Sequence, residues 1–485
     1  MKYKWLVLSN TTVATLMAAI DTNIVLISLP TIGRQLPDTS ATTLLWILLG
    51  YSLLTSVVLL NFGRLSDMYG RVRLYVLGFA VFTTGSLFCG LSQTGTELVI
   101  FRLVQAVGAG FLFANSAAII TDAFPPNERG RALGINQISI VAGAVAGLVL
   151  GGIITSTVGW RWIFFVNVPI GLIATFRARI DLKELAHREE HPQIDWVGNA
   201  AFALGLTLIL AGVTLGALAD LTGTEAIGLV IAGGGLLVAF VWIESWVPSP
   251  MLDLSLFRNR VFSTTTTATL MNALARGAFT FVLVFYLQGP PRYLDPFTAG
   301  LFLIPVSASL ATFGPVSGWL SDRYGPTWFT VFGLIISASG FLWLATIGPA
   351  DSFLQLTPPL VLVGTGMGLF ASPNRATMMT AVPPGRRGVA SGIGTTFLNT
   401  GATVSLGLTL LIMSSVVPRS ALETILTGGT VTASRVSVAA GFLTSIHVIF
   451  LVSGALVLVS LIPVALRGKT GAPPREVETE AEAGD

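Results

Sequence analysis

Cysteine is nearly absent. The 485-residue chain has one, Cys89, so no intrachain disulfide is available and no Cys/His metal cluster stands out. Charge is scarce too. Asp, Glu, Lys and Arg make up 11% of the residues, against about 25% in ordinary soluble proteins, which is too little to cover a water-facing surface. That argues against a cytosolic enzyme. The 27 basic and 24 acidic residues nearly cancel, to a formal +3, and a nucleic-acid binder would need a clustered basic face. No phosphate loop of the GxxxxGKS or GxxxxGKT type is present, which excludes direct drive by ATP. Nor is there a paired acid/base or metal constellation of the kind an enzyme uses, or a loop long enough for a catalytic domain.

What remains is apolar. Hydrophobic residues reach 53% and the mean hydropathy is +0.78, which marks an integral membrane protein. A spanning helix needs roughly 20 mostly apolar residues. Fourteen such runs are bounded by charge or by Gly/Pro punctuation, near 6–29, 44–62, 74–91, 98–121, 132–156, 161–178, 196–217, 225–246, 262–287, 299–320, 328–347, 354–379, 388–412 and 440–465. They are continuous rather than alternating, which excludes barrel strands. The first, behind Lys2 and Lys4, is longer than a signal-peptide core and is expected to be retained.

Lys and Arg in the loops set the orientation. With the N-terminus inside, 19 of the 27 fall on the inner side and 5 on the outer, and Arg102, Arg276 and Arg375 lie within spans. Both termini are therefore expected in the cytoplasm, in a plasma (inner) membrane. Residues 467–485, rich in Pro, Glu and Ala, read as a disordered acidic tail. The charged stretch 181–191 reads as a surface helix at the membrane edge.

The chain also repeats itself. GRLSDMYG at 63–70 returns as GWLSDRYG at 318–325, an offset of 255, and RGRALG at 129–134 returns as RGVASG at 387–392, an offset of 258. Two agreeing offsets imply two related halves of six spans. The boundaries read as 1–178 for the first half, 179–261 for an inserted helix pair with its linkers, and 262–466 for the second half. Parallel repeats of this kind are a transporter layout, with substrate held between halves near the midplane. No filter-like loop points to a channel.

At GRLSDMYGRVR (63–73) the chain resembles the major facilitator superfamily, and within it the 14-helix drug:proton antiporters of the multidrug efflux type. Gly63, Asp67, Gly70, Arg71 and Arg73 stand where the superfamily's loop signature has them. RLVQAVGAG (102–110) resembles the fourth-span motif, with Arg102 and Gln105 present and Ala106 in place of its usual glycine. GAVAGLVLGG (143–152) resembles the fifth-span antiporter motif through Gly143, Gly147, Gly151 and Gly152, with Leu148 where that motif has proline. IDTNIVLISLP (20–30), GWRWIFFVNVPIG (159–171) and FYLQG (285–289) are typical of the 14-helix group. The resemblance implies an all-α integral membrane protein of the major facilitator fold: two six-helix bundles plus two inserted transmembrane helices. It also implies a monomer with no cofactor, exporting amphipathic, cationic compounds by alternating access and driven by the proton gradient. Conformational gating would rest on Gly63, Asp67, Gly70, Arg71, Arg73, Arg129, the four fifth-span glycines, Gly318, Asp322 and Gly325. The glycines at 143, 147 and 151 are spaced by four, so they also suit plain close packing of helices.

Ionisable groups within spans are expensive, so each is a functional candidate. Asp21 is the acid deep in a span. A carboxyl desolvated in a cavity takes up a proton, and opening to water or a nearby cation releases it. Asp21 is therefore expected to carry proton coupling, substrate binding, or both. The family resemblance gives Arg102 a coupling role, the alternative being a side chain that snorkels to the surface. Arg276 lies mid-span, and the offset of 255 sets it level with Asp21. The expectation is that the two face each other across the substrate site, or that Arg276 holds an anionic head group, since like charge repels a cation. Asn272, Trp46, Tyr51, Asn115, Asn136, Tyr286, Asn374 and Asn399 are the remaining candidates for the cavity lining. The rival readings are an exporter of lipid-like or anionic amphiphiles in the same fold, and a membrane sensor or scaffold that binds ligand without flux.

Overall fold

The computed structural model describes residues 2–125, 128–185, 195–218, 221–247, 250, 252–290, 292–383, 386–429 and 435–467. The described segments are helices joined by short turns. A bilayer has no water to satisfy exposed backbone groups, so long apolar runs close their hydrogen bonds internally. Among the described residues fourteen helical segments are long and apolar enough to cross a membrane, and each overlaps one of the fourteen runs read from the sequence.

The first half holds α1 (Tyr3–Gln35), α2 (Ala41–Tyr69), α3 (Arg71–Leu91), α4 (Gly95–Ala123), α5 (Arg129–Thr157), α6 (Trp162–Phe165) and α7 (Asn167–Asp181). The inserted pair is α8 (Trp196–Ala217) and α9 (Gly223–Glu244). The second half holds α10 (Arg260–Arg276), α11 (Phe279–Gln288), α12 (Pro296–Phe302), α13 (Ile304–Tyr324), α14 (Pro326–Leu344), α15 (Phe353–Thr380), α16 (Arg387–Val416), α17 (Arg419–Leu426), α18 (Arg435–Val459) and α19 (Leu461–Leu466). Polar residues start several of these helices by satisfying the first backbone donors. Ser40 accepts from the amide of Thr43 and Thr94 from that of Glu97, and Thr222/Glu225 and Ser352/Gln355 form capping boxes.

Among the described residues four spans are broken into two helices: α6/α7, α10/α11, α12/α13 and α18/α19. Asn167 is the first residue of α7, and Arg276 is the last of α10. At the second break Ser405 Oγ on α16 accepts the amide of Ala278 at 3.0 Å, replacing a partner the interrupted helix has lost. Gly277 lies so close to α16 that a Cβ there would sit 2.3 Å from Ala402 Cα. The segment between the last two spans is not all loop. It contains α17, whose apolar face of Leu422, Ile425 and Leu426 is buried. Of the expected surface helix at 181–191, residues 182–185 are not helical, and 186–191 lie outside the described residues. The acidic tail lies outside them apart from Arg467.

The halves meet on the face opposite the chain ends. Gly152 on α5 abuts Pro296 and Phe297 of α12, and Gly300 on α12 abuts the backbone of Leu148. Gln288 Nε2 donates to Ile27 O of α1 at 2.8 Å. Gly428, just after α17, lies against Pro30 O with φ at +73°, a backbone region that suits glycine. Among the described residues no hydrogen bond or ion pair joins the two halves on the face that carries the chain ends. In the inserted pair, α8 rests on α2 and α16 while α9 packs on α8 and exposes Ile227, Ile231, Val238 and Trp242.

Candidate functional site

α1 carries Asp21 into the interior of the first half, where two other helices, α4 and α7, supply three donors to it. Arg102 Nη1 of α4 donates to Asp21 Oδ2 at 2.5 Å. Gln105 Nε2, one turn along α4, donates to Oδ1 at 2.8 Å, and Asn167 Nδ2 at the start of α7 donates to Oδ1 at 2.9 Å. Arg102 Nη1 also donates to Gln105 Oε1 at 2.8 Å, and its guanidinium lies 3.9 Å from the centroid of the Tyr51 ring of α2. Asn167 is braced in turn by Ser86 Oγ of α3, at 3.2 Å. The side chains of Asp21 and Arg102 are 0% and 1% exposed. Arg102 Nη2 is buried without a hydrogen-bond partner. The cluster is a sealed ion pair, and among the described residues every polar contact to the carboxylate comes from a donor. Arg102 does not reach the surface, so the snorkelling alternative is excluded.

The sequence singled out Asp21, Arg102 and Tyr51, and the structure brings these three together. It does not join Asp21 to Arg276. Among the described residues the carboxylate is engaged by Arg102, Gln105 and Asn167, all from its own half. The repeat relates Asp21 to Arg276 as equivalent positions in two bundles, and equivalence by symmetry does not imply contact. Gln105 was visible as a motif residue and Asn167 lay inside a quoted motif, but nothing in their spacing pointed at Asp21.

The other expected cavity residues divide into two groups. Several serve as packing pins. Asn115 turns back onto its own helix, donating to Phe111 O at 2.8 Å. Asn136 donates to Thr15 Oγ1 at 3.1 Å and ties α5 to α1. Tyr286 donates to Gly348 O at 2.7 Å at the far end of the second half. Asn374 donates to Thr269 Oγ1 at 2.9 Å and accepts from Arg467 Nη2 at 2.5 Å, linking α15 to α10 and to the chain end. Burial pulls the Arg467 guanidinium down to about 10. Trp46 is half-buried against the main core. The second group comprises Asn272, Arg276 and Asn399, whose side chains make no hydrogen bond among the described residues.

The profile of the Major Facilitator Superfamily matches residues 11–406. The chain belongs to that superfamily. It is 32% identical over 420 residues to the riboflavin transporter RibZ of Clostridioides difficile, covering 86% of this chain and 88% of that one. It is 30% identical over 403 residues to multidrug resistance protein 3 of Bacillus subtilis, covering 81% and 76%. It is 26% identical over 412 residues to the tetracenomycin C resistance and export protein of Streptomyces glaucescens, covering 85% and 76%. Its fold is similar to that of a bacterial homologue of the human lysosomal transporter Spinster, solved inward-facing and unoccupied, with a TM-score of 0.67, 16% identity and coverage of 96% and 97%. The chain is a multi-pass membrane transporter of this superfamily, not an enzyme.

In this major facilitator protein the signature loop between α2 and α3 is held by two acids from outside the motif. Glu184 accepts the amides of Arg71 and Val72, each at 3.0 Å, and so caps α3 from beyond the end of α7. Asp122 near the end of α4 accepts Arg71 Nη1 at 2.7 and 2.8 Å. Gly70 has φ at +104°, a backbone region that suits glycine, and Glu184 Oε2 lies 2.6 Å from where a Cβ would stand. Gly325 repeats the positive φ, at +87°, in the second half. Arg73 is exposed. The side chains of Asp67, Arg129 and Asp322, and the surroundings of Gly63, lie outside the described residues. Gly318 sits against Ser372 of α15.

The fifth-span glycines of this superfamily member face two ways. Gly143, Gly147 and Gly151 lie on α1, where a Cβ would come 2.7 Å from Leu16 O, 2.6 Å from Ile20 O and 2.5 Å from Ile27 Cγ2. They pack the first half internally, in the manner of small-residue helix contacts. Gly152 lies across the seam on α12 instead. Leu148, in the place of the motif proline, is buried at the same seam.

Proposed function

We propose that this chain exports amphipathic compounds in exchange for protons, with Asp21 and Arg102 as the coupling pair. The observation that carries the reading is the sealed Asp21–Arg102–Gln105–Asn167 cluster. Every polar partner of the carboxylate among the described residues is a donor, so a proton there would have to displace one. Taking one up requires Arg102 to part from it, so protonation and helix rearrangement are a single event. An acid with that property can bias a two-state element, which is what exchange by alternating access needs. The excess of Lys and Arg on one side puts both termini in the cytoplasm. With that orientation the closed seam faces outward and the arrangement is inward-facing. The transporter works in the plasma membrane, as a monomer, with no cofactor beyond the proton gradient.

The first reading of the substrate is a lipophilic cation, in keeping with relatives named for multidrug resistance. A second reading, an amphiphile carrying a negative group, is favoured by Arg276, a cation in the second half that no acid engages among the described residues. The test is proton flux in proteoliposomes with an internal pH-sensitive dye and an imposed pH gradient. Wild type and Asp21→Asn are challenged with lipophilic cations, zwitterions and anions. Proton release on adding cations, abolished by Asp21→Asn, is the expected result. Flux with anions alone moves the conclusion to the second reading. Binding with no flux for any compound refutes transport and leaves a sensor or scaffold.

A further inference from the structure

We infer that Arg276 anchors an anion-binding subsite in the second half, and that it takes a fixed negative group, a carboxylate or sulfonate, of an amphiphilic substrate. The inference rests on the transport reading and deepens its second substrate reading, the amphiphile that carries a negative group.

Arg276 lies about midway along the span Arg260–Gln288, at the break between α10 and α11. Its Nε is sealed from solvent and has no hydrogen-bond partner, while the residue as a whole is only partly buried. Among the described residues no acid and no acceptor engages the guanidinium. The one acid that lies deep in a span, Asp21, already has Arg102. An arginine held at this depth with nothing opposite it is costly, and an anion that arrives and leaves would compensate it.

The residues beside Arg276 fit that occupant. Asn272, one turn earlier on α10, is 2% exposed and its amide makes no hydrogen bond among the described residues. The close approach of Gly277 to Ala402, and of Gly401 to Ala273, sets α16 against α10 at this level. Within one turn of that contact α16 carries Asn399, whose side chain is equally unengaged, and Thr400, whose Oγ1 is buried without a partner. A guanidinium, two amides and a hydroxyl supply donors, and no carboxylate stands among them. Charge-assisted bonds from such a set suit a carboxylate or sulfonate. A cation at the same place meets only repulsion.

The experiment compares two probes that differ by one group: 8-anilinonaphthalene-1-sulfonate, and N-phenyl-1-naphthylamine, the same skeleton without the sulfonate. Fluorescence titrations use the purified full-length protein, as wild type, Arg276→Gln and Arg276→Lys, with protein-free micelles as blank. Hydrogen bonds to a charged group predict that Arg276→Gln weakens sulfonate binding about 10- to 100-fold. Arg276→Lys should stay within about threefold of wild type, and the uncharged probe should change less than about twofold throughout. Equal losses for both probes would show a structural arginine at a helix end and overturn the proposal, as would no loss for either. Replacing gluconate by chloride separates the sources. If chloride displaces the sulfonate at millimolar levels and the two probes bind wild type equally, the site takes small anions only and the substrate claim fails. Proton flux is read separately. Arg276-dependent sulfonate binding in a protein that shows no substrate-linked flux would refute the exchange reading and leave the anion subsite standing.

Discussion

Replacing Asp21 by Asn preserves shape and removes one charge, and the geometry says how the site responds. Three donors converge on the wild-type carboxylate. An asparagine has one acceptor oxygen. If its oxygen keeps Gln105 and Asn167, its amide nitrogen faces Arg102 Nη1 at 2.5 Å, donor against donor. If it is flipped, the nitrogen faces the other two donors. In either case the Arg102 charge stays buried without an acid, with Nη2 already unpartnered. Removing one member of a buried pair costs about 3–5 kcal/mol. Arg102→Gln should cost a similar amount by stranding the carboxylate. The double variant, Asp21→Asn with Arg102→Gln, carries no charge and can pair amide with amide, so it should be less destabilised than either single variant. SDS titration of purified protein in mixed micelles, followed by tryptophan fluorescence, measures all four proteins. If the double variant loses the sum of the single losses, or if each single variant lies within about 1 kcal/mol of wild type, the sealed ion pair is not the lock described here.

Two further variants probe the seam and the signature loop. Gly152→Val places a side chain where a Cβ would lie 2.6 Å from Pro296 O. Overpacking of about 1–3 kcal/mol should shift the population roughly 5- to 150-fold toward a parted seam. This is read as faster labelling of Gln288→Cys by a membrane-impermeant maleimide, with the native Cys89 buried. Gly147→Val, equally tight but against α1, should lower the folded yield without speeding labelling, and identical behaviour of the two variants would contradict the division of the glycines between packing and seam. Glu184→Ala removes the acceptor for two amides at the start of α3 and should cost about 1 kcal/mol, typical of a lost helix cap, with Glu184→Gln closer to wild type in the same titration.

The spans were legible because a bilayer imposes a length and an apolar character that composition reveals directly. Asp21 and Arg102 were legible because each is a charge where charge is expensive. Their pairing was not. The internal repeat drew attention to Arg276, and a repeat reports which positions correspond, not which side chains touch. Asn167 was hidden because its position depends on the break at Val166, where the sixth span starts afresh and turns its first side chain toward α1. Glu184 was hidden because it follows its helix in a charged stretch, and only the fold brings it back to the loop after α2. α17 was missed for a related reason: it is eight residues long, too short to announce itself as a span, and its apolar face has meaning only against the helices beneath it.

The inserted pair has a consequence for motion. α8 touches both halves, but with different chemistry. To the first half it is tethered by a hydrogen bond, Asn199 Nδ2 to Val57 O at 3.2 Å. Toward the second half, Leu210 and Val213 lie against Gly407 of α16, an apolar contact with no direction. When the halves rock, a directional bond holds its register and a greasy surface slips. Rocking of the halves is therefore expected to carry the pair with the first half, sliding over α16. The two flanks of the transporter are then unequal: the inserted pair covers the one where α2 and α16 meet, and among the described residues it does not reach α5 and α13 on the other.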